Sequence, residues 1–237
     1  MLDPAGRVIM ISGANRGIGL AVARTLYDAG YSLSLGARNP DAFDTIVADW
    51  TPDRLLTGRY DAEDKDTHRA WVDQTLDRFG RLDGLVNNAG IAESVSVEDD
   101  KDEVLDRLWA VNVKAPLSMT RLALPHLRRS GAGRVINVCS LAGKAVYDSG
   151  IGYSMTKFAA VALSHATRHA GFEDGVRCTA LCPGYVATDM TAGVESTPQD
   201  SMIEAGDLAE IVRTVLALSS TASIAELVVN CRDDVMA

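Results

Sequence analysis

The chain is predicted to be α/β: a doubly wound, mostly parallel sheet of about seven strands with helices on both faces. Three observations predict this. Short apolar runs alternate with longer stretches of helical spacing along nearly the whole chain. The runs are near-continuously apolar, as in strands buried on both faces. Hydrophobic residues make up 47% of the chain and charged residues only 23%, enough to fill a core without a disordered portion. With 237 residues and no repeat or low-complexity linker, one domain over 1–237 is expected.

The elements follow in order. "RVIMIS" (7–12) is a β-branched first strand. Ile18, Val22 and Leu26 form one stripe of a helix from Ile18 to Ala29, which Gly30 closes. "YSLSLGA" (31–37) is the second strand, and a fainter third ends at Tyr60. Residues 68–80 are helical and stop at Gly80, and 82–90 form a strand that leaves into a glycine turn. Residues 101–127 are largely helical. A strand at 134–140, a helix at 153–171, a strand at 176–184, a helix at 207–220 and a strand at 226–230 complete the pattern.

Composition excludes several classes. The net charge is −9 and no Lys/Arg cluster occurs, which argues against a nucleic-acid partner. Cys139, Cys178, Cys182 and Cys231 form no CxxC pair and fit no zinc pattern, so no metal is expected. The first three lie in apolar runs, where a thiol behaves as a small hydrophobe. The N-terminus breaks too early for a signal peptide. No apolar run approaches ~18 residues, so no membrane segment is expected and a cytoplasmic location is.

The first strand runs into "SGANRGIG" (12–19), with Gly13, Gly17 and Gly19. A glycine-rich turn between strand and helix lets backbone approach a pyrophosphate, which the helix N-terminus then favours. This spacing departs from the commoner GxGxxG fingerprint. After the second strand stands Arg38 where a carboxylate would accept from ribose hydroxyls, and Arg16 lies in the glycine loop. Two guanidinium groups there favour a 2′-phosphate, so NADP is expected and NAD is the alternative. Asp61 is placed to accept from an adenine amino group, with the backbone of Ala62 beside the ring. An Asp in such a loop is otherwise a cap or turn residue.

Five further stretches fall at strand ends or beside them. They are "NNAG" (87–90), "VNVKAP" with Asn112, "VCSLAG" with Ser140, "YSMTK" with Tyr153 and Lys157, and "PGYVATDM" (183–190). Open parallel sheets bind ligands at the carboxyl ends of their strands. Taken singly, each residue has a plain structural use. Taken as an ordered set, they resemble the short-chain dehydrogenase/reductase family in its single-domain, Rossmann-type form, over nearly the whole chain.

The resemblance implies a reaction: hydride transfer between NADP(H) and a carbonyl/secondary alcohol pair. Tyr153 would be the general acid in reduction and the base in oxidation. A free phenol titrates near about 10, too high for efficient exchange at neutrality. Lys157 lies one turn on, on the same helical face, where its ammonium would stabilise phenolate and bond the nicotinamide ribose. Ser140 would hold the substrate oxygen, and Asn112 would shape a helix and hold a proton-relaying water. The resemblance extends cofactor contacts to Gly13, Asn15, Arg16, Gly17, Ile18, Gly19, Asn88, Ala89, Gly90, Pro183, Gly184, Val186 and Thr188. By position, Ile91, Glu93, Ala142, Val146, Tyr147, Tyr185 and Met190 would line the substrate pocket. A carboxylate such as Glu93 in a loop is usually solvated; facing the pocket, it would favour a cationic or hydroxyl-rich substrate.

Two stretches depart from the family pattern. Residues 191–206 are short and rich in Gly, Pro, Ser and Thr where many relatives carry a helical lid, so a mobile or short segment and an open pocket are expected. Arg232, Asp233 and Asp234 replace a glycine-containing turn after the last strand. That favours a homodimer, through the helices in 101–127 and 153–170, over a tetramer. Two other functions fit the sequence: an NAD-dependent dehydrogenase of a sugar or polyol, and a non-catalytic dinucleotide-binding redox sensor. The second would have no need of a proton donor.

Overall fold

A computed structural model describes residues 1–231. Arg232, Asp233 and Asp234 lie outside the described residues. Seven strands form one sheet: β1 (Val8–Ser12), β2 (Ser32–Ala37), β3 (Leu55–Arg59), β4 (Gly84–Asn87), β5 (Arg134–Val138), β6 (Arg177–Pro183) and β7 (Glu226–Val229). Their order is β3-β2-β1-β4-β5-β6-β7, and every pairing is parallel. The chain winds outward from β1 to β3, then restarts at β4 on the other side of β1. The crevice between β1 and β4 is therefore the topological switch point.

Alternation along β1 assigns the faces. Ile9 and Ile11 enter one core with Val22 and Leu26 of α1 (Gly17–Asp28) and Leu208 and Val212 of α6 (Ala205–Ala217). Val8 and Met10 enter a second core on the opposite face. It is shared with Trp71 of α2 (Lys65–Phe79) and Met119 and Leu127 of α4 (Ala115–Arg129). On the same side, α5 (Ile151–Gly171) packs on β6. A smaller cluster there joins Cys139, Cys182, Ala160 and Val161. Cys139, Cys178 and Cys182 are buried, and burial pushes the Cys178 thiol up to about 12. Among the described residues no helix is long and apolar enough to cross a membrane.

Three places add detail to the expected pattern. The β2–β3 crossover holds no α-helix, only 3-10 turns at Pro40–Phe43 and Pro52–Arg54. Its prolines and aspartates support caps and turns rather than an amphipathic stripe; Asn39 caps the first turn by accepting from the Asp41 N–H. The helical stretch 101–127 is divided into α3 (Asp102–Trp109), a π turn (Ala110–Lys114) and α4. Residues 191–206 are pinned rather than loose. Ile203 bridges to Val186, Gln199 donates to the Thr191 carbonyl, and Thr197, Met202 and Ile203 are buried.

Candidate active site

The glycine loop comes first. Gly13 (φ +65°) and Gly17 (φ +54°) occupy the left-handed region, which a side chain would strain. A Cβ on Gly19 would stand 2.3 Å from the Gly13 carbonyl oxygen, so the loop closes on the first turn of α1 with no room for a side chain. No side chain caps α1, whose cap residue is Arg16. Its first N–H groups therefore face the crevice, as an anion-binding helix start requires. This cradle fits a pyrophosphate.

The loop is held from both neighbouring strands. Gly13 and Ala14 donate to the Gly36 carbonyl at the end of β2. From β4, the Asn88 side-chain amide donates to the carbonyls of Ser12 and Gly13, both at 3.0 Å. The Ser12 hydroxyl in turn accepts the N–H groups of Asn88 and Ala89. Asn88 thus acts by positioning the loop. Ser12 was missed at the sequence level, because a serine ending a strand carries no distinctive signal.

The second half of the site converges on Lys157. This lysine is buried, and its ammonium donates to the Val138 carbonyl at 2.9 Å and lies 5.5 Å from the Tyr153 ring centroid. Gly143 presses the turn after Ser140 onto α5: a Cβ there would stand 2.6 Å from the Lys157 carbonyl oxygen. Ser140 caps that turn, its hydroxyl oxygen accepting from the Ala142 N–H at 3.1 Å. The hydroxyl proton is left to donate elsewhere. Tyr153 is half-buried on the first turns of α5, a helix that starts two residues before it.

Asn112 sits in the π turn, a local widening frequent at functional sites. Its side chain accepts from the Ile91 N–H at 3.0 Å and donates to the Ile91 carbonyl and the Thr156 hydroxyl. The amide is therefore committed to fixing the 88–91 loop beside Lys157, and Thr156 is a second supporting residue absent from the sequence reading. A Cβ on Gly90 would lie 3.3 Å from the Asn112 Oδ1 and 3.8 Å from the Lys157 Nζ, so this loop also closes tightly.

Other expected residues are placed less simply. Glu93 pairs with Arg107 at 2.7 Å, so its carboxylate serves a part-exposed ion pair rather than a substrate. Asp61 accepts from the Glu63 N–H and lies 4.0 Å from Arg59, so much of it serves the turn. Ala62, Asn15 and Ile18 are half-buried, with Ala62 and Ile18 packed against the two cores. Val186 is buried in the core, leaving only its main chain to meet a ligand. Pro183 ends β6, and Gly184 donates to the Val229 carbonyl. The Thr188 methyl would contact a Gly17 Cβ at 3.4 Å, which brings the 186–191 turn over the glycine loop. Arg16 pairs with Asp189 at 3.3 Å across that same gap, whereas Arg38 is exposed. Val146, Tyr147, Tyr185 and Met190 are 52%, 57%, 37% and 54% exposed, consistent with an open mouth beside the short 191–206 segment.

Behind the Ser140 turn, Lys144 and His165 both bond Glu226. Hydrogen bonds from Lys144 and then His165 hold the Glu226 carboxyl below the usual range, and the same contact raises Lys144.

Comparison with known proteins agrees with this geometry. A family model described as short chain dehydrogenase matches residues 7–199. An agropine synthesis reductase of Rhizobium rhizogenes is 42% identical over 228 residues, covering 94% of this chain and 52% of its own length. The chain thus spans about half the length of that relative. Dehydrogenase/reductase SDR family member 4 of Caenorhabditis elegans is 32% identical over 211 residues, covering 87% of this chain and 81% of its own. Among solved structures, an alcohol dehydrogenase from the archaeon Thermococcus sibiricus complexed with 5-hydroxy-NADP superposes with a TM-score of 0.86. It is 30% identical and covers 94% of this chain and 95% of its own. Levodione reductase also gives 0.86, at 26% identity over 95% and 96% of the two chains. With its glycine cradle at the switch point and Tyr153 and Lys157 on one helical face, the chain belongs to the short chain dehydrogenase family.

Proposed function

We propose that the chain is an NADP(H)-dependent oxidoreductase that interconverts a carbonyl and a secondary alcohol, forming one catalytic unit over residues 1–237. The observation that carries this is the convergence on Lys157: a buried ammonium beside the Tyr153 ring, with the Ser140 turn pressed onto the same helix. When bound, a nicotinamide would supply or accept the hydride. Tyr153 gives its phenolic proton to the substrate oxygen in reduction and takes it back in oxidation. Lys157 sets its ammonium beside the phenol ring and would bond the nicotinamide ribose. Ser140 donates its free hydroxyl proton to the same substrate oxygen and holds it beside Tyr153. A proton-relaying water would sit on the main chain of the π turn, because the Asn112 amide is engaged.

Two arginines at the ends of β1 and β2 support NADP over NAD. So does the resemblance to the Thermococcus sibiricus structure, whose ligand is 5-hydroxy-NADP. The names agropine synthesis reductase and levodione reductase support the reductive direction. Four free thiols suit a reducing, cytoplasmic compartment. The exposed Phe158 on α5 supports a homodimer through α4 and α5, and light scattering on purified protein checks this.

The test is to measure NADPH and NADH binding, then follow reduced nicotinamide by absorbance across ketones, aldehydes and alcohols. NADPH-dependent reduction of some carbonyl compounds is expected. Tight NADH binding with negligible NADPH binding would favour the sugar or polyol dehydrogenase. Nucleotide binding without turnover across a broad panel would favour the redox sensor.

A further inference from the structure

We propose that Asp189 sets the nucleotide preference of the site by competing with a 2′-phosphate for Arg16. The proposal rests on the NADP(H) reading above. Among the described residues Arg16 has one anionic partner, and a bound 2′-phosphate would offer a second. On the β6 side, its Nη1 lies 3.3 Å from Oδ2 of Asp189. On the β2 side, the glycine loop is tied to the Gly36 carbonyl, two residues before Arg38. A phosphorylated adenosine ribose would sit on that side, between the two guanidinium groups.

The Asp189 pair is built to exchange. Both side chains are mostly exposed, so the pair is weakly held and screened. The backbones around it are not loose. The extended Arg16 backbone (φ −162°) leads directly into α1. Asp189 opens a 3-10 turn held by reciprocal Thr188 and Thr191 bonds. The Thr188 methyl keeps that turn 3.4 Å from a Gly17 Cβ position. The carboxylate is therefore held within reach of Arg16.

This makes Asp189 a selective brake. NADPH binding must draw Arg16 away from the carboxylate or share it, while NADH leaves the pair intact. Removing the negative charge should help only the phosphorylated nucleotide, and only while Arg16 is present to respond. Arg16→Gln alone should weaken NADPH binding and leave NADH binding unchanged.

The experiment is a cycle of wild type, Asp189→Asn, Arg16→Gln and the double variant. Dissociation constants for NADPH, NADH and adenosine 2′,5′-bisphosphate are read by fluorescence titration, with circular dichroism checking that each variant is folded. Asp189→Asn should tighten NADPH and the bisphosphate about two- to five-fold, the range of an exposed ion pair. NADH should not move, the gain should vanish in the Arg16→Gln background, and it should shrink at high salt. Equal tightening of NADH, persistence without Arg16, or no gain at all would overturn the proposal. If Arg38→Gln still weakens NADPH, the cofactor reading survives that failure. If wild type binds NADH and not NADPH, both fall together.

Discussion

The two edges of the sheet treat buried polar groups in opposite ways. At the amino-terminal edge, buried charged side chains are bonded to loop backbone and to one another, although Arg7 Nε and Arg134 Nε stay without a partner. Asp83 is fully buried and accepts from the Val8 N–H and from Arg81 at 2.7 and 2.8 Å, with Arg7 at 3.9 Å. The buried Arg134 donates to the carbonyls of Gly133, Gly175 and Leu218, and desolvation pulls it down to about 10. Arg177 ties Phe172 and Ser220 in the same way. At the carboxyl-terminal edge, Ser140 keeps a free proton and α1 starts without a side-chain cap. The difference teaches where chemistry is available: one edge commits charged side chains to stitching loops, and the other leaves a hydroxyl proton and the first N–H groups of a helix open to the crevice.

The comparison breaks most visibly at Asp83. Replacing it with Ala should cost about 3–5 kcal/mol, because it strands the buried Arg7 guanidinium. Denaturant titration reads the loss, and turnover per folded molecule should stay near wild type. Lys157→Met at the other edge should show the reverse. Turnover should fall about a hundredfold, ~2.7 kcal/mol of barrier, while the melting temperature moves little. A mixed outcome is expected for Gly143→Ala, which drives a Cβ into the Lys157 main chain. Overpacking there should cost about 1–3 kcal/mol of stability and lower kcat/KM by displacing Ser140.

The smallest effect is pH-dependent and belongs to Glu226. Its folded pKa lies below the unfolded value of about 4.3. Its stabilisation is therefore complete above that value and is lost as pH falls through the folded pKa. Acid unfolding of Glu226→Gln, followed by circular dichroism, should show a shallower loss of stability below about pH 4 than wild type.

Much of the fold was legible because fully buried strands write themselves as apolar runs. β1, β4, β5 and β6 lie within a few residues of their expected spans. β3 was faint for a physical reason: it is an edge strand, half-buried, and "LLTGR" carries a glycine and an arginine. The π turn left no trace, since Ala110–Lys114 has ordinary helical composition. At the candidate site, Gly13, Ser140, Tyr153 and Lys157 could be proposed from the sequence because motifs at strand ends converge on one crevice. Partners were not. That Glu93 meets Arg107, or Asn112 meets Ile91 and Thr156, depends on how separate loops fold onto each other. Spacing along the chain does not encode that.

The central claim is that Tyr153 delivers the proton beside the Lys157 ammonium. Tyr153→Phe removes one hydroxyl and leaves the ring against Lys157. Turnover and NADPH affinity measured on the same folded preparation test the claim directly. The account predicts at least about a 10²-fold loss of turnover with an unchanged NADPH dissociation constant. Turnover close to wild type would contradict it.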